Sequence, residues 1–253
     1  MTKFFRNIRQ SLQNEGKTSK YLKYAFGEII LVVIGILIAL QINNWNENRK
    51  DTLQSRAFLN EFKADLSQDV INMDYVDGLL TQLIPLEAWA LSNSTFQPSN
   101  IDSLIKVLYA TYFFMPIESK TFQKIQNAGI TTFIGYETVF NSLNDYYIST
   151  AYINNINITD EKEAYYKGEE NLDVLNTQVE WNILPKYNLM EAGNFPSSTP
   201  EEKQIEAVLK FASSKIGRNQ LRNQHKRHLN LKQSFLTIRK KALELMALID
   251  ESL

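Results

Sequence analysis

Cysteine is absent from the 253 residues. That excludes disulfides, Cys-ligated zinc, iron–sulfur clusters and thiol catalysis. It leaves the compartment open, because a chain without thiols tolerates either redox state. Histidine occurs only at His225 and His228, so most imidazole-based mechanisms have no residues to use. With 9 Gly and 6 Pro, the chain is short of turn residues for a sandwich that reverses every few residues. No sign of charge dominates: 27 Lys plus Arg stand against 28 Asp plus Glu, a formal net charge of -1. Overall charge therefore selects no polyanion, and nucleic acid is not an expected partner. GxSxG, Walker, GxGxxG and HExxH patterns are all missing. No enzymatic activity and no cofactor are expected. What is present is a globular composition, 44% hydrophobic and 22% charged, unlike that of a disordered chain.

The strongest pattern is a run without polar side chains, IILVVIGILIAL, from Ile29 to Leu40. Ten of these twelve residues are Ile, Leu or Val. At roughly −0.3 to −0.6 kcal/mol each, they contribute about −3 to −6 kcal/mol to insertion in a bilayer. Extended from Ala25 to Ile42, the stretch is 18 residues long, about 27 Å as a helix and enough for a tilted or slightly thinned hydrocarbon core. Aromatic residues flank it, Tyr21, Tyr24 and Phe26 before and Trp45 after, as at membrane interfaces. Lys3, Arg6, Arg9, Lys17, Lys20 and Lys23 precede it against a single acid, Glu15. The positive-inside rule then places the N-terminus in the cytoplasm and the chain after Trp45 outside it. No small-x-small site cleanly follows the run, which favours an uncleaved anchor over a removed signal peptide. In KFFRNIRQSL, Phe4, Phe5, Ile8 and Leu12 share a helical face, which suits either an interfacial helix or a short charged tail that sets topology.

The run EGKTSKYLKYAFGEIILVVIGILIALQINNWNENRK, Glu15 to Lys50, and GEIILVVIGILIALQINNWNE within it, resembles the N-terminal signature of a Bacteroidota family of small membrane-anchored proteins of unknown function. The resemblance is specific over about 35 residues. Beyond them it extends only to length and helical character. It implies an anchor plus a helical domain, and it carries no catalytic residue.

After Asn46 the pattern becomes helical. Leu59, Phe62, Leu66, Val70, Met73, Leu80 and Leu83 recur at three- and four-residue spacing, bridged by Val76, with Glu61, Asp65, Asp69 and Asp77 between them. This predicts a long helix that Pro85 kinks or ends, with a stop near Asn93 and Ser94. Asn100 is expected to cap a helix carrying Leu104, Ile105, Leu108 and Tyr112, ended by Pro116. Residues 119–128 read as a short helix closed by Gly129. A long stretch from Tyr136 to Leu184 follows, with an interruption over Asn154 to Thr159. A loop over 185–199 leads to a helix capped by Thr199, begun by Pro200, Glu201 and Glu202, with Ile205, Leu209, Ala212 and Ile216 on one face. After Gly217, Leu231, Phe235, Ile238, Ala242, Leu245 and Ile249 form a heptad seam. It suits packing inside an antiparallel bundle or an intermolecular coiled coil. Residues 57–200 hold 7 basic and 18 acidic side chains, whereas residues 207–243 hold 10 basic and no acidic ones. The basic helix lies against the acidic ones, or presents its face to an anionic partner or headgroups.

The expected fold is therefore all-α: a cytoplasmic basic segment over 1–24, a transmembrane helix over 25–45, and a periplasmic antiparallel helical bundle with long helices over 46–253. Glu28 is the one ionisable group in the anchor, read either as interfacial or as a polar contact within an assembly. Gly35 and Ala39 form a small-xxx-small pair that permits close helix approach. Gln41, Asn43, Asn44 and Asn46, four amides around Trp45, face headgroups or hydrogen-bond across an oligomer. His225 and His228, one turn apart, read as a polar layer in the bundle rather than a metal site. Paired acids such as Glu161, Glu163, Glu169 and Glu170 read as a solvated face, and the two Tyr-Tyr pairs as packing. The expected partners are the lipid bilayer and a protein, another one or a second copy of this chain. The expected setting is the bacterial inner membrane, crossed once. The expected role is interaction, as a scaffold, adaptor or accessory subunit of an envelope complex. A ligand sensor acting through a partner and a self-assembling homo-oligomer are the alternatives.

Overall fold

The computed structural model describes residues 18–108, 112–113, 116–180 and 196–253. The amphipathic stretch at residues 3–12 lies outside them, as does most of the expected 185–199 loop. Among the described residues six α-helices follow in order: α1 (Thr18–Ser92), α2 (Ile101–Leu108), α3 (Lys120–Asn127), α4 (Glu137–Asn176), α5 (Glu201–Ser213) and α6 (Lys215–Ser252). A short 3-10 turn, Pro98–Asn100, precedes α2. Among the described residues there is no strand, and the all-α bundle of long helices is what the chain forms.

The chain divides into two compact units. The first holds residues up to Ala57 together with Phe133–Gly135. Its part of α1 presents every side chain from Ile29 to Leu40 to the outside. One turn before the division, the hydroxyls of Thr52 and Ser55 donate to the carbonyls of Asn48 and Asp51, each at 2.8 Å. Gly129 and Gly135, at φ 67° and 82°, make the turns on either side of Phe133, where other residues would be strained.

The second unit, Phe58–Thr132 with Tyr136–Leu253, is the bundle. Its core is read off the helical stripes. Leu59, Phe62, Leu66, Met73 and Leu80 of α1 are buried, and so is every member of the α6 seam from Leu231 to Ile249. The seam is therefore used inside the chain. Side-chain pairs show that α1 and α6 run antiparallel: Lys63 to Asp250 at 2.5 Å, Asp74 to Arg239 at 2.6 Å, and Asp77 to Lys232 at 2.8 Å. The acidic and basic helices do face each other. Helix α4 packs along α6 and meets α1 through Tyr147, 5.6 Å from the ring of Phe62. A second apolar cluster joins Ala90, Leu104, Leu108, Leu172, Phe211 and Leu221.

The described residues settle or correct several local expectations. Pro85 lies inside α1 and does not end it, because Leu83, Leu86, Trp89 and Ala90 on either side pack into the second cluster. This packing offsets the lost backbone bond. Asn154 to Thr159 do not interrupt α4. Asn154 is buried, and the hydroxyl of Thr159 bonds back to Asn155 O at 2.9 Å. Helix α2, described over Ile101–Leu108, does not run on to Pro116, since Tyr112 and Phe113 are not helical. The break between α5 and α6 falls at Ser214, whose hydroxyl accepts from Gly217 N at 3.1 Å. Gly217 is thus in the first turn of α6, and Ile216 is exposed rather than on the α5 face. Thr199 does not cap α5, since its hydroxyl accepts from Glu180 N at 3.0 Å. Asn100 turns its amide oxygen back to Gln97 N at 2.9 Å.

Candidate functional site

The buried face of α1 should be apolar, yet Asp65, Asp69 and Glu87 occupy it. Each carboxylate has partners that explain its burial. Asp65 accepts from Thr121 N at 2.9 Å, and Asp69 accepts from Glu118 N at 2.7 Å. The two acids, one turn apart on α1, therefore hold the start of α3, where free backbone N–H groups favour negative charge. Asp69 also accepts from the Tyr146 hydroxyl at 2.9 Å. Burial still dominates, and pushes the Asp69 carboxyl up from 3.8 to about 6. The Tyr146 and Tyr147 hydroxyls are pushed up by the same burial, then by the charge of Asp69.

Glu87 organises the second polar layer. His228 Nδ1 lies 2.6 Å from its Oε1, and His225 Nδ1 lies 3.3 Å from its Oε2. Gln224 Nε2 donates to Oε1 at 3.1 Å and to Val107 O at 2.8 Å. With Glu87 ionised, both ring nitrogens donate, since a carboxylate only accepts. Phe113 stands edge-on to His228 at 5.1 Å between centroids. His228 Nε2 is buried without a hydrogen-bond partner. Among the described residues, no group of three acids or histidines is arranged to hold a metal.

The two histidines are thus brought together, but by a residue that sequence reasoning did not single out. The available signal was the stripe itself, in which Leu80, Leu83, Glu87 and Ala90 fall at core spacing. An acid at such a position is a buried partner-seeker. Glu161 has the same history. Far from forming a solvated face, it is buried, paired with Arg227, and accepts from Phe113 N at 3.1 Å. Glu163, Glu169 and Glu170 are exposed.

Glu161 and Arg227 stand at a cleft of about 580 Å³ between α4 and α6. Asn157 and Lys167 line it from α4, Asn223 and Asn230 from α6. A second groove of about 550 Å³ lies further along the same pair of helices, where Asp145, Ile148, Lys241 and Leu245 meet. Glu137 and Glu180 line neither. Glu180 instead binds Ser198, whose hydroxyl holds its carboxyl below the ordinary range. Of the α4 acids, Asp160, Glu161 and Glu163 line the first cleft and Asp145 the second groove.

The other candidate residues lie in the first unit. Gly35, Ala39, Gln41, Asn43, Asn44 and Trp45 are exposed, and Glu28 is half-buried. Nothing stands within 4 Å of where a Cβ on Gly35 would be. Asn43 donates to Glu47 Oε1 at 3.0 Å, one turn along α1.

These features define a class: a helical-bundle protein whose first helix is long and apolar enough to cross a membrane. More particularly, the chain belongs to the family of unknown function DUF6090, which it matches over residues 28–167. The match begins at Glu28, at the start of the apolar run, and continues into α4 as far as Lys167. The family resemblance is therefore not confined to the apolar run. No curated protein and no solved structure matches the chain.

Proposed function

We propose that this protein is a membrane-anchored interaction protein, a scaffold, adaptor or accessory subunit of a cell-envelope complex. It crosses the bacterial inner membrane once, N-terminus in the cytoplasm, with the bundle in the periplasm. The observation that carries the reading is the first part of α1, apolar and exposed along its whole length from Ile29 to Leu40. The six bases before the run support the orientation. The bundle supports the interaction role, because large apolar side chains stay exposed on three helices. They include Ile71 and Tyr75 on α1, Ile148 and Tyr152 on α4, and Leu236 and Leu243 on α6.

The test is a tagged pull-down of the full-length protein from native membranes in mild detergent, read by mass spectrometry. A stoichiometric protein partner is expected. A Tyr152→Glu change, on a fully outward position, should weaken that partner without altering helicity. Recovery of the protein only with copies of itself would replace the adaptor role with self-assembly. A second reading, a ligand sensor acting through a partner, is favoured by the polar cleft between α4 and α6.

A further inference from the structure

The outer face of α1 carries a second seam. From Ala64 to Gln82, the positions Ala64, Gln68, Ile71, Tyr75, Gly78 and Gln82 alternate four and three residues apart, the spacing of a heptad repeat. All of them are exposed, Ile71 at 58% and Tyr75 at 70%. None is charged. The charged residues of α1 around them are turned elsewhere. Asp65, Asp69 and Glu87 are buried. Lys63, Asp74 and Asp77 pair with α6, and Glu61 pairs with Lys124 at 2.8 Å. A helix face that met only water would ordinarily carry charge.

Gly78 adds an independent observation. It stands in the interior of α1 without the positive φ of Gly129 and Gly135. Among the described residues, nothing outside its own turn of helix lies within 4 Å of where its Cβ would be. Glycine weakens a helix relative to alanine, yet no other part of the chain uses the space it leaves. A small residue on an outward seam admits the backbone of a second helix. Charge decides which helix. On a two-fold axis each residue meets its own copy, so a self-pairing face must be uncharged. The α1 seam meets that condition. The apolar stretch of α4 from Ile148 to Ile156 is bounded by exposed Asp145, Asp160 and Glu163. The outer face of α6 carries exposed Arg222, Lys226 and Lys240. Either face would set like charges against each other.

We propose that two copies of this chain pair in parallel through the outer seam of α1, Tyr75 against Tyr75, with the Gly78 backbones in close approach at the axis. This deepens the interaction reading by naming one partner as a second copy, and it rests on the membrane attachment proposed above. Copies held in one bilayer share an orientation, which makes the pairing parallel. Their confinement also raises the effective concentration. That matters because the seam is about 27 Å long and spans fewer than three heptads, short for a coiled coil free in water. Gln68 and Gln82 place amides on the seam, which donate and accept across the axis and so fix the register. The α4 face, with Tyr152, stays open to the different protein expected in the pull-down.

The absence of native cysteine suits the test to disulfide cross-linking. Single-cysteine variants of the full-length protein are oxidised in native membranes, and the linked dimer is read on a non-reducing gel. Gln68→Cys, Tyr75→Cys and Gln82→Cys should cross-link at least about tenfold faster than Tyr152→Cys on α4 or Leu229→Cys on α6, since a disulfide needs Cα atoms within about 7 Å. Charge then identifies the partner. Tyr75→Glu and Tyr75→Lys should each lower co-purification of differently tagged copies by about tenfold, and co-expressing the two should restore it, because opposite charges then meet at the axis. Gly78→Leu should lower co-purification as well. The thermal midpoint of that variant, measured on dilute monomer in detergent, should stay or rise, because leucine is the better helix former. A lower midpoint would show that the glycine serves the bundle itself, and overturns the close approach. Equal cross-linking at all five positions, or no rescue by the Glu and Lys pair, overturns the second copy as occupant. Absence of the protein from the membrane fraction overturns the anchor and with it the parallel pairing, whereas presence without cross-linking overturns the pairing alone. The pull-down with Tyr152→Glu reads the different partner on another face, so the adaptor role and the pairing fail separately.

Discussion

Asp69 shows what a single buried carboxyl does to the molecule. Its protonation equilibrium is raised from 3.8 to about 6, first by burial. Below pH 3.8 the folded and unfolded chains both hold the proton, and Asp69 costs nothing. Between pH 4 and 6 the unfolded chain has lost it while the folded chain keeps it. Stability therefore falls as pH rises through this window, by roughly 3 kcal/mol from Asp69 alone. In Asp69→Asn the amide oxygen can still accept from Glu118 N, and the Tyr146 hydroxyl can turn to accept from the amide nitrogen. Denaturant titrations at pH 4 and pH 7, read on Trp89 fluorescence, should show a smaller loss in this variant than in the parent. Glu87 answers to the opposite logic. Removing it as Glu87→Ala strands His228 Nδ1 and one N–H of Gln224 Nε2, whose other N–H still donates to Val107 O, and should cost about 3 kcal/mol or more. His225→Ala, at a residue 23% exposed, should cost about 1 kcal/mol or less. Equal losses would show that Glu87 does not organise the layer. These acids were hard to read in the sequence for one reason. A carboxylate between apolar residues looks like the polar side of a helix. Its partner, His228, lies 141 positions away.

Helices were far easier to read than their ends. The α6 seam and the α1 stripe are periodic, and periodicity follows directly from burial. Ends depend on contacts that composition does not record. Gly217 reads as a helix terminator, but its role is room: a Cβ there would stand 2.1 Å from Phe211 O. Gly217→Ala should therefore lower stability by about 3 kcal/mol or more, since backbone must move. A thermal-unfolding scan of the variant checks it, and an unchanged midpoint would refute the close approach. Pro85 is the converse case. Packing around it carries α1 to Ser92 despite the missing N–H. Pro85→Ala should stabilise the protein by roughly 1–2 kcal/mol, the restored helix bond less the added freedom of the unfolded chain. The last turn of α1 gains its own cap from a distant residue. Arg218 donates to Leu91 O at 2.6 Å and to Ala90 O at 3.3 Å, and also binds Asn93 O.

At the scale of the whole molecule, the proposed membrane attachment rests on the apolar run. Its favourable insertion, about −3 to −6 kcal/mol, is comparable to the roughly 5–7 kcal/mol that two central arginines would cost. Val33→Arg with Leu37→Arg should thus shift the protein from a carbonate-resistant membrane fraction toward the soluble one, while a single change should leave most of it bound. A first helix long and apolar enough to cross a membrane, and the helical class, were plain in the sequence. The cleft was not, because it needs Asn157 and Arg227 to meet across 70 positions.

The antiparallel pairing of α1 with α6 carries a consequence for how the protein is made. A ribosome delivers α1 first and α6 last, and Lys63 finds Asp250 only across 187 residues. Until the final helix emerges, Asp74, Asp77 and Glu87 have no basic or imidazole partners, and the end of α1 has no guanidinium to hold it. Helices α3 and α4 can dock on α1 as they emerge, through Asp65, Asp69 and Phe62, but the bundle cannot close until α6 follows. The rest of the acidic stripe must wait, kept from aggregating, until residues as far as Asp250 have been delivered.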